Sequence, residues 1–148
     1  MHGTMVCAVT DAEEGEDVVA VGAELSERLG LRLVLAHALD GVASLATDGN
    51  ESVTMKQSRE GAERRLRQLA EQYGVASTAE RRFAVGEPAA ILGRIAAEEA
   101  ADVIVVGARL RGWRRRSLES RLADELETET RVPVLLAPPR TRPERSRR

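Results

Sequence analysis

The sequence predicts an α/β fold in which buried parallel strands alternate with amphipathic helices. Five short apolar segments are separated by stretches whose apolar residues recur at helical spacing, and one of them, Val103–Gly107, reads Val-Ile-Val-Val-Gly. A β-branched run without polar alternation is typical of a parallel strand covered on both faces. Strands that alternate with helices imply right-handed crossovers, and therefore a doubly wound parallel sheet.

Five strands are predicted, and two of them have features of edge strands. The segments are Thr4–Thr10, Leu31–Ala38, Ala79–Val85, Asp102–Gly107 and Val132–Ala137. The third segment is the most polar, which favours an edge position. The fifth contains Pro133, which cannot donate a ladder hydrogen bond and is therefore expected at an edge as well.

Four helices connect these strands. Their apolar stripes lie at Val18–Leu29, Ala62–Tyr73, Ile91–Ile95 and Leu118–Leu126. Gly30 and Gly74 follow the first two stripes and are expected to end those helices, while Pro88 occupies the first turn of the third. Between Leu39 and about Thr54 the periodicity gives way to Gly, Ser, Asp and Asn, which predicts a mobile loop.

Length and composition indicate one domain and exclude several classes of protein. With 148 residues and a net charge of −2, we expect a single domain over residues 1–139. An arginine-rich tail at residues 140–148 is expected to be disordered. The sequence has no apolar run long enough to span a membrane, no secretory signal, and a single cysteine, Cys7. A cytoplasmic protein without membrane association is therefore expected.

Three segments carry a resemblance to a known family. They are Gly86–Leu92 (Gly-Glu-Pro-Ala-Ala-Ile-Leu), Ala100–Arg109 and Val132–Leu136. Together they resemble the universal stress protein family, and the resemblance covers nearly the whole chain. It implies a Rossmann-like fold of the adenine nucleotide alpha hydrolase type, with strand order 3-2-1-4-5 and helices on both faces of the sheet. It also implies a homodimer that pairs the fifth strands, Val132–Ala137.

The same resemblance directs attention to the turn after the fourth strand. In ATP-binding members this strand ends in a motif of glycine, two residues, glycine, nine residues, then glycine and serine or threonine. Here Gly107 fills the first position, whereas Leu110, Ser120 and Arg121 stand at the other three. Glycines at such positions adopt positive φ and let the backbone approach phosphate oxygens, which larger side chains resist.

By motif position, the resemblance assigns six residues to nucleotide binding: Thr10, Asp11, Ala38, Gly107, Arg109 and Ser120. Thr10 stands where binding members usually carry an aspartate, with Asp11 one residue later, and Ala38 takes the place of the usual valine. No catalytic residue and no metal ligand is predicted, because neither a phosphate-loop lysine motif nor a zinc-ligand spacing occurs. His37 is interpreted as a structural histidine.

The arginines between Arg109 and Arg116 have two interpretations. They form either a solvated basic loop or a site for a polyanion. In a specific version of the first, the acidic turn Asp11–Asp17 pairs with them across the cleft. The tail arginines lack aromatic interleaving, so a nucleic-acid partner is not expected.

These observations leave two hypotheses for function. The first is a non-enzymatic stress-response or signalling module with a degenerate nucleotide site, no cofactor and unknown protein partners, and the resemblance implies that it is a dimer. The alternative is a universal stress protein that binds ATP or another nucleotide through a non-standard phosphate loop that includes Gly107 and Ser120.

Overall fold

The computed structural model describes residues 3–10, 13–39, 53–108 and 118–139, with the side chains of 13–14, 53–55 and 118–121 outside the description. The strands are β1 (Thr4–Ala8), β2 (Arg32–Leu39), β3 (Glu80–Val85), β4 (Val103–Gly107) and β5 (Val134–Ala137). The helices are α1 (Glu13–Leu29), α2 (Val53–Gln72), α3 (Pro88–Glu98) and α4 (Leu118–Glu129). Strands and helices alternate along the chain as predicted.

The five strands form one parallel sheet in the order β3-β2-β1-β4-β5. In the register, Met5 of β1 pairs with Leu33 of β2 on one side and with Val103 of β4 on the other. The strand order is confirmed, and so are the edge positions of β3 and β5. β1 lies at the centre, and all five of its residues are buried.

Successive side chains of β1 point to opposite faces, so each face of the sheet has its own core. On one face Val6 and Ala8 pack with Ile95 of α3 and Leu126 of α4. On the other face Met5 and Cys7 belong to a second core, which includes Val18 and Val19 of α1 and Leu66 and Leu69 of α2. The helices therefore cover both faces, as a doubly wound sheet requires.

The helix ends follow the predicted signals. Gly30 directly follows α1 and Gly74 lies two residues beyond the end of α2, and both adopt positive φ, of 68° and 74°. Pro88 occupies the first turn of α3, and the side chain of Glu87 accepts a hydrogen bond from Ala90 N at 3.0 Å. A carboxylate in this capping position satisfies a backbone N–H that the helix itself leaves unpaired.

The two boundaries of the predicted loop lie close to those expected. β2 extends one residue further than predicted, to Leu39, which is buried and pairs with Val85. α2 begins at Val53, next to the predicted loop end at about Thr54 but well before the apolar stripe that starts at Ala62, and its residues 56–60 are exposed. The remainder of the predicted loop, residues 40–52, lies outside the described residues, as does the predicted tail at 140–148.

An ionic cluster joins the start of β2 and β3 to the end of α3. Glu99 accepts hydrogen bonds from Arg32 at 2.8 Å and from Arg82 at 2.7 Å. Arg32 also contacts Glu80, and Arg82 also contacts Glu98. The hydrogen bonds from the two guanidinium groups hold the pKa of Glu99 below its usual value. The cluster fixes α3 against the β2–β3 side of the sheet.

Candidate functional site

The candidate site lies at the carboxyl ends of β1, β2 and β4. In the order β3-β2-β1-β4-β5, the chain winds from β1 to β3 on one side and continues through β4 on the other. The crevice beside such a reversal is the usual ligand site of an open parallel sheet. Thr10 follows β1, Ala38 lies near the end of β2, and Gly107 ends β4. The structure therefore brings these three predicted residues together at the carboxyl ends of the strands.

Thr10 carries the clearest polar feature of this edge. Its hydroxyl oxygen Oγ1 is buried and has no hydrogen-bond partner within the described part of the chain. Leaving a buried hydroxyl unpaired costs on the order of 1–3 kcal/mol. The backbone carbonyl of Thr10 accepts a hydrogen bond from Arg65 Nε of α2 at 3.4 Å. The hydroxyl is thus a group that a polar ligand atom would satisfy.

Gly15 allows α1 to start directly against the end of β1. A Cβ at this position would overlap the carbonyl oxygen of Thr10 and would lie 3.0 Å from its nitrogen. Both are main-chain atoms, which cannot rotate away. The position of α1 beside the cleft therefore requires glycine. The motif comparison missed this residue, although a glycine inside the acidic run Glu13–Asp17 is a signal that could have found it.

His37 lies beside the site but its side chain is part of the core. The ring is 6% exposed, and Nδ1 is 2.7 Å from the carbonyl oxygen of Val9. Because a carbonyl can only accept, Nδ1 carries the proton. The ring of Phe83 packs nearby, with a centroid distance of 6.2 Å. These contacts agree with the structural interpretation of His37, since the ring fastens the end of β1 to β2.

The acidic turn is connected to α2 through Glu16. One carboxylate oxygen accepts hydrogen bonds from the Tyr73 hydroxyl at 2.7 Å and from Gln72 Nε2 at 2.9 Å. Asp17, one residue later, is fully buried. The predicted pairing of this turn with Arg109–Arg116 is not tested, because the arginines lie outside the described residues.

The remaining predicted site residues fall where the structure gives no side chains. Asp11, Arg109 and Leu110 lie outside the described residues. Ser120 and Arg121 belong to the first turns of α4, and only their backbone is described. The assignment of these residues to a phosphate site stays a prediction.

Within residues 3–10, 13–39, 53–108 and 118–139, no group of three or more His, Cys, Asp and Glu side chains is arranged to hold a metal ion. None of the helices in the same ranges is both long and apolar enough to cross a bilayer.

Solved structures of low sequence identity share this fold. The universal stress protein from Archaeoglobus fulgidus in complex with dAMP has a TM-score of 0.66 at 20% identity, covering 91% of this chain and 97% of that one. UspA from Lactobacillus plantarum has a TM-score of 0.69 at 13% identity, covering 93% and 99%. A universal stress protein in complex with cAMP has a TM-score of 0.64 at 19% identity, covering 95% and 100%.

A comparison with curated proteins found no match. The sequence nevertheless matches the model of the universal stress protein family over residues 1–138, which is most of its length. The strand order, the two-sided helix packing and the location of the cleft agree with that match. The chain belongs to the universal stress protein family.

Proposed function

We propose that this universal stress protein is a non-enzymatic stress-response or signalling module whose cleft does not hold a nucleoside triphosphate. The observation that carries the proposal is the turn after β4, where Leu110, Ser120 and Arg121 replace residues of the glycine motif. Glycines at these motif positions let the backbone approach phosphate oxygens, and larger residues resist that approach. Gly107 is the one motif position that this sequence retains.

The environments of His37 and Cys7 in the described core support a non-enzymatic function. His37 is held by the Val9 carbonyl, as described above. Cys7 lies in β1, fully buried, and burial raises the pKa of its thiol to about 12. A thiol with such a pKa has a negligible thiolate fraction at neutral pH and is a poor nucleophile.

The proposed module acts as a homodimer through β5. This strand pairs only with β4 among the described strands, and its Leu135 and Leu136 are 38% and 46% exposed. Exposed leucines on an open edge strand favour pairing with a second copy. Size-exclusion chromatography with light scattering should give a dimer, and Leu136→Glu should shift it to a monomer. A wild-type monomer at high concentration would contradict the proposed dimer.

A second candidate function is the binding of an adenine nucleotide with a single phosphate group. The buried hydroxyl of Thr10, which has no hydrogen-bond partner among the described residues, favours it, because a ligand at the end of β1 would provide that hydrogen bond. Two relatives of the same fold are complexes with dAMP and cAMP, each of which has one phosphate group. Such a ligand needs less space beyond Gly107 than ATP does.

Calorimetric titration separates the two candidates. The first expects no binding of ATP with magnesium up to about 1 mM, and a micromolar dissociation constant would overturn it. The second expects AMP or cAMP to bind, and Thr10→Val to weaken that binding about tenfold. Thr78→Val is the matched control, since Thr78 lies in the α2–β3 connection and its hydroxyl contacts only Val75 O among the described groups.

A further inference from the structure

The outer edge of β3 is a surface separate from both the cleft and the β5 edge. β3 pairs with β2 along its whole length, from Val34 opposite Glu80 to Leu39 opposite Val85. Within the described ranges no strand pairs with its other side. An edge strand of this length presents a row of backbone N–H and C=O groups that another extended segment can pair with.

A groove of about 320 Å³ runs along this edge. Its walls are three consecutive residues of β3 and three residues of α2, namely Arg81, Arg82, Phe83, Glu63, Leu66 and Arg67. Because successive strand side chains point to opposite faces, a groove that touches three in a row follows the strand edge. Phe83, which packs on Leu39 and Ala62, gives the groove an apolar floor.

The cations of the groove differ in their partners. The Arg82 side chain forms ion pairs with Glu98 and Glu99 on the α3 side. The side chains of Arg67 and Arg81 are exposed and make no ion pair or hydrogen bond with any other part of the chain that the structure describes. Glu63 is the single carboxylate that lines the groove, so its net charge is positive even after Arg82 is discounted.

We propose that the β3 edge binds an extended acidic segment of another protein by β-strand addition. The backbone of the segment pairs with β3, its carboxylates contact Arg67 and Arg81, and an apolar side chain between them contacts Phe83. The β3 edge and the apolar floor suit a peptide, because a peptide backbone can pair with a strand edge and a sugar–phosphate backbone cannot. This surface shares no residue with the cleft or with β5, so its test is independent of the proposed function.

The probe is a fluorescently labelled peptide, Thr-Glu-Thr-Val-Thr-Glu-Thr, which places two glutamates and one valine on the same face of a strand. Titration with the full-length protein should give a saturable rise in anisotropy. Arg81→Glu should weaken binding about tenfold. Arg64→Glu makes the same charge change at an exposed position of α2 outside the groove, and should change binding less than about twofold.

Hydrogen exchange tests for backbone pairing with β3, which a purely electrostatic contact would not produce. The bound peptide should slow exchange of the backbone amides in Glu80–Val85 and leave those of β5 unchanged. Failure of the wild-type protein to bind at about 1 mM would overturn the proposal. So would equal binding of a peptide with lysine in place of glutamate, equal loss in Arg64→Glu and Arg81→Glu, or competition by a single-stranded oligonucleotide of the same charge.

Discussion

Gly22→Ala is expected to destabilise the protein, although alanine is the better helix former. Gly22 lies in α1 where the helix crosses the sheet. A Cβ there would overlap Cys7 Sγ and would lie 3.3 Å from Leu33 Cδ1. Cys7 is in the central strand and has no exposed surface, so its short side chain cannot turn towards solvent. To accommodate the methyl group, α1 must move away from the sheet or the core must repack.

The magnitude follows from two opposing effects. Replacing a mid-helix glycine by alanine stabilises a helix by about 1 kcal/mol, whereas inserting a methyl group into a packed core costs about 1–3 kcal/mol. The free energy of unfolding should therefore fall by about 0–2 kcal/mol. Gly93→Ala in α3 is the matched control, because its Cβ would make only an ordinary contact with Glu129 Cβ at 3.6 Å. That variant should be about 0.5–1 kcal/mol more stable than the wild type.

Urea unfolding measures the difference, provided that the slope m is unchanged between variants. Cys7→Ala removes the overlapping sulfur, so the double variant with Gly22→Ala should be more stable than the sum of the two single effects predicts. A coupling of about 1–2 kcal/mol in that direction is expected for groups in direct contact. If Gly22→Ala proves as stable as Gly93→Ala, the argument from steric overlap with Cys7 is refuted.

Three further predictions follow from the same structure. Gly15→Ala should lower stability by about 2–3 kcal/mol in urea unfolding, because its Cβ would overlap main-chain atoms of Thr10; an unchanged midpoint would refute this. Glu99→Gln should cost about 1 kcal/mol at pH 7, against no change for the exposed Glu127→Gln. The folded-state pKa of Glu99 is lowered, so its contribution to the free energy of unfolding is complete above the unfolded pKa of about 4.3 and disappears as pH falls through the folded pKa. The stabilities of the wild type and Glu99→Gln should therefore converge in acid unfolding curves. Finally, Cys7, with its pKa raised to about 12, should react with a thiol reagent at pH 8 only as fast as the protein opens, and rapid reaction of the native protein would contradict its burial.

Much of the fold could be predicted from the sequence because its strongest signals are local. The β-branched run of β4 and the mixed apolar run of β1 indicate strands that are covered on both faces, and both strands are buried. The polar character of β3 and Pro133 before β5 indicate edges for the same local reason. The apolar periodicity of α2 begins only at Ala62, because the earlier residues 56–60 are exposed and contribute no apolar face to the pattern.

Features that depend on tertiary distance could not be predicted in this way. Arg32 and Glu99 form an ion pair although 67 positions separate them in the chain. Neither residue stands out locally, since exposed charges are common in any soluble domain. Gly15 and Gly22 are similar cases, because the atoms that a Cβ would overlap, in Thr10 and Cys7 respectively, come near only in the folded chain. Gly107, by contrast, is predicted from the spacing of a family motif, and its role at a phosphate site stays a prediction.

At the cleft, the sequence and the structure each constrain the ligand. Together they indicate which nucleotides a binding experiment should compare. Leu110, Ser120 and Arg121 stand where the motif of ATP-binding members has glycine, glycine, and serine or threonine, which is the basis of the proposal that the cleft does not hold a triphosphate. Among the described residues, the buried hydroxyl of Thr10, which follows the neighbouring strand β1, has no hydrogen-bond partner. A ligand with one phosphate group suits both observations, since it offers Thr10 a hydrogen-bond partner and needs less space beyond Gly107 than ATP does. The length of the phosphate chain, more than the identity of the base, is therefore the variable to change first, and the comparison of AMP with ATP tests it directly.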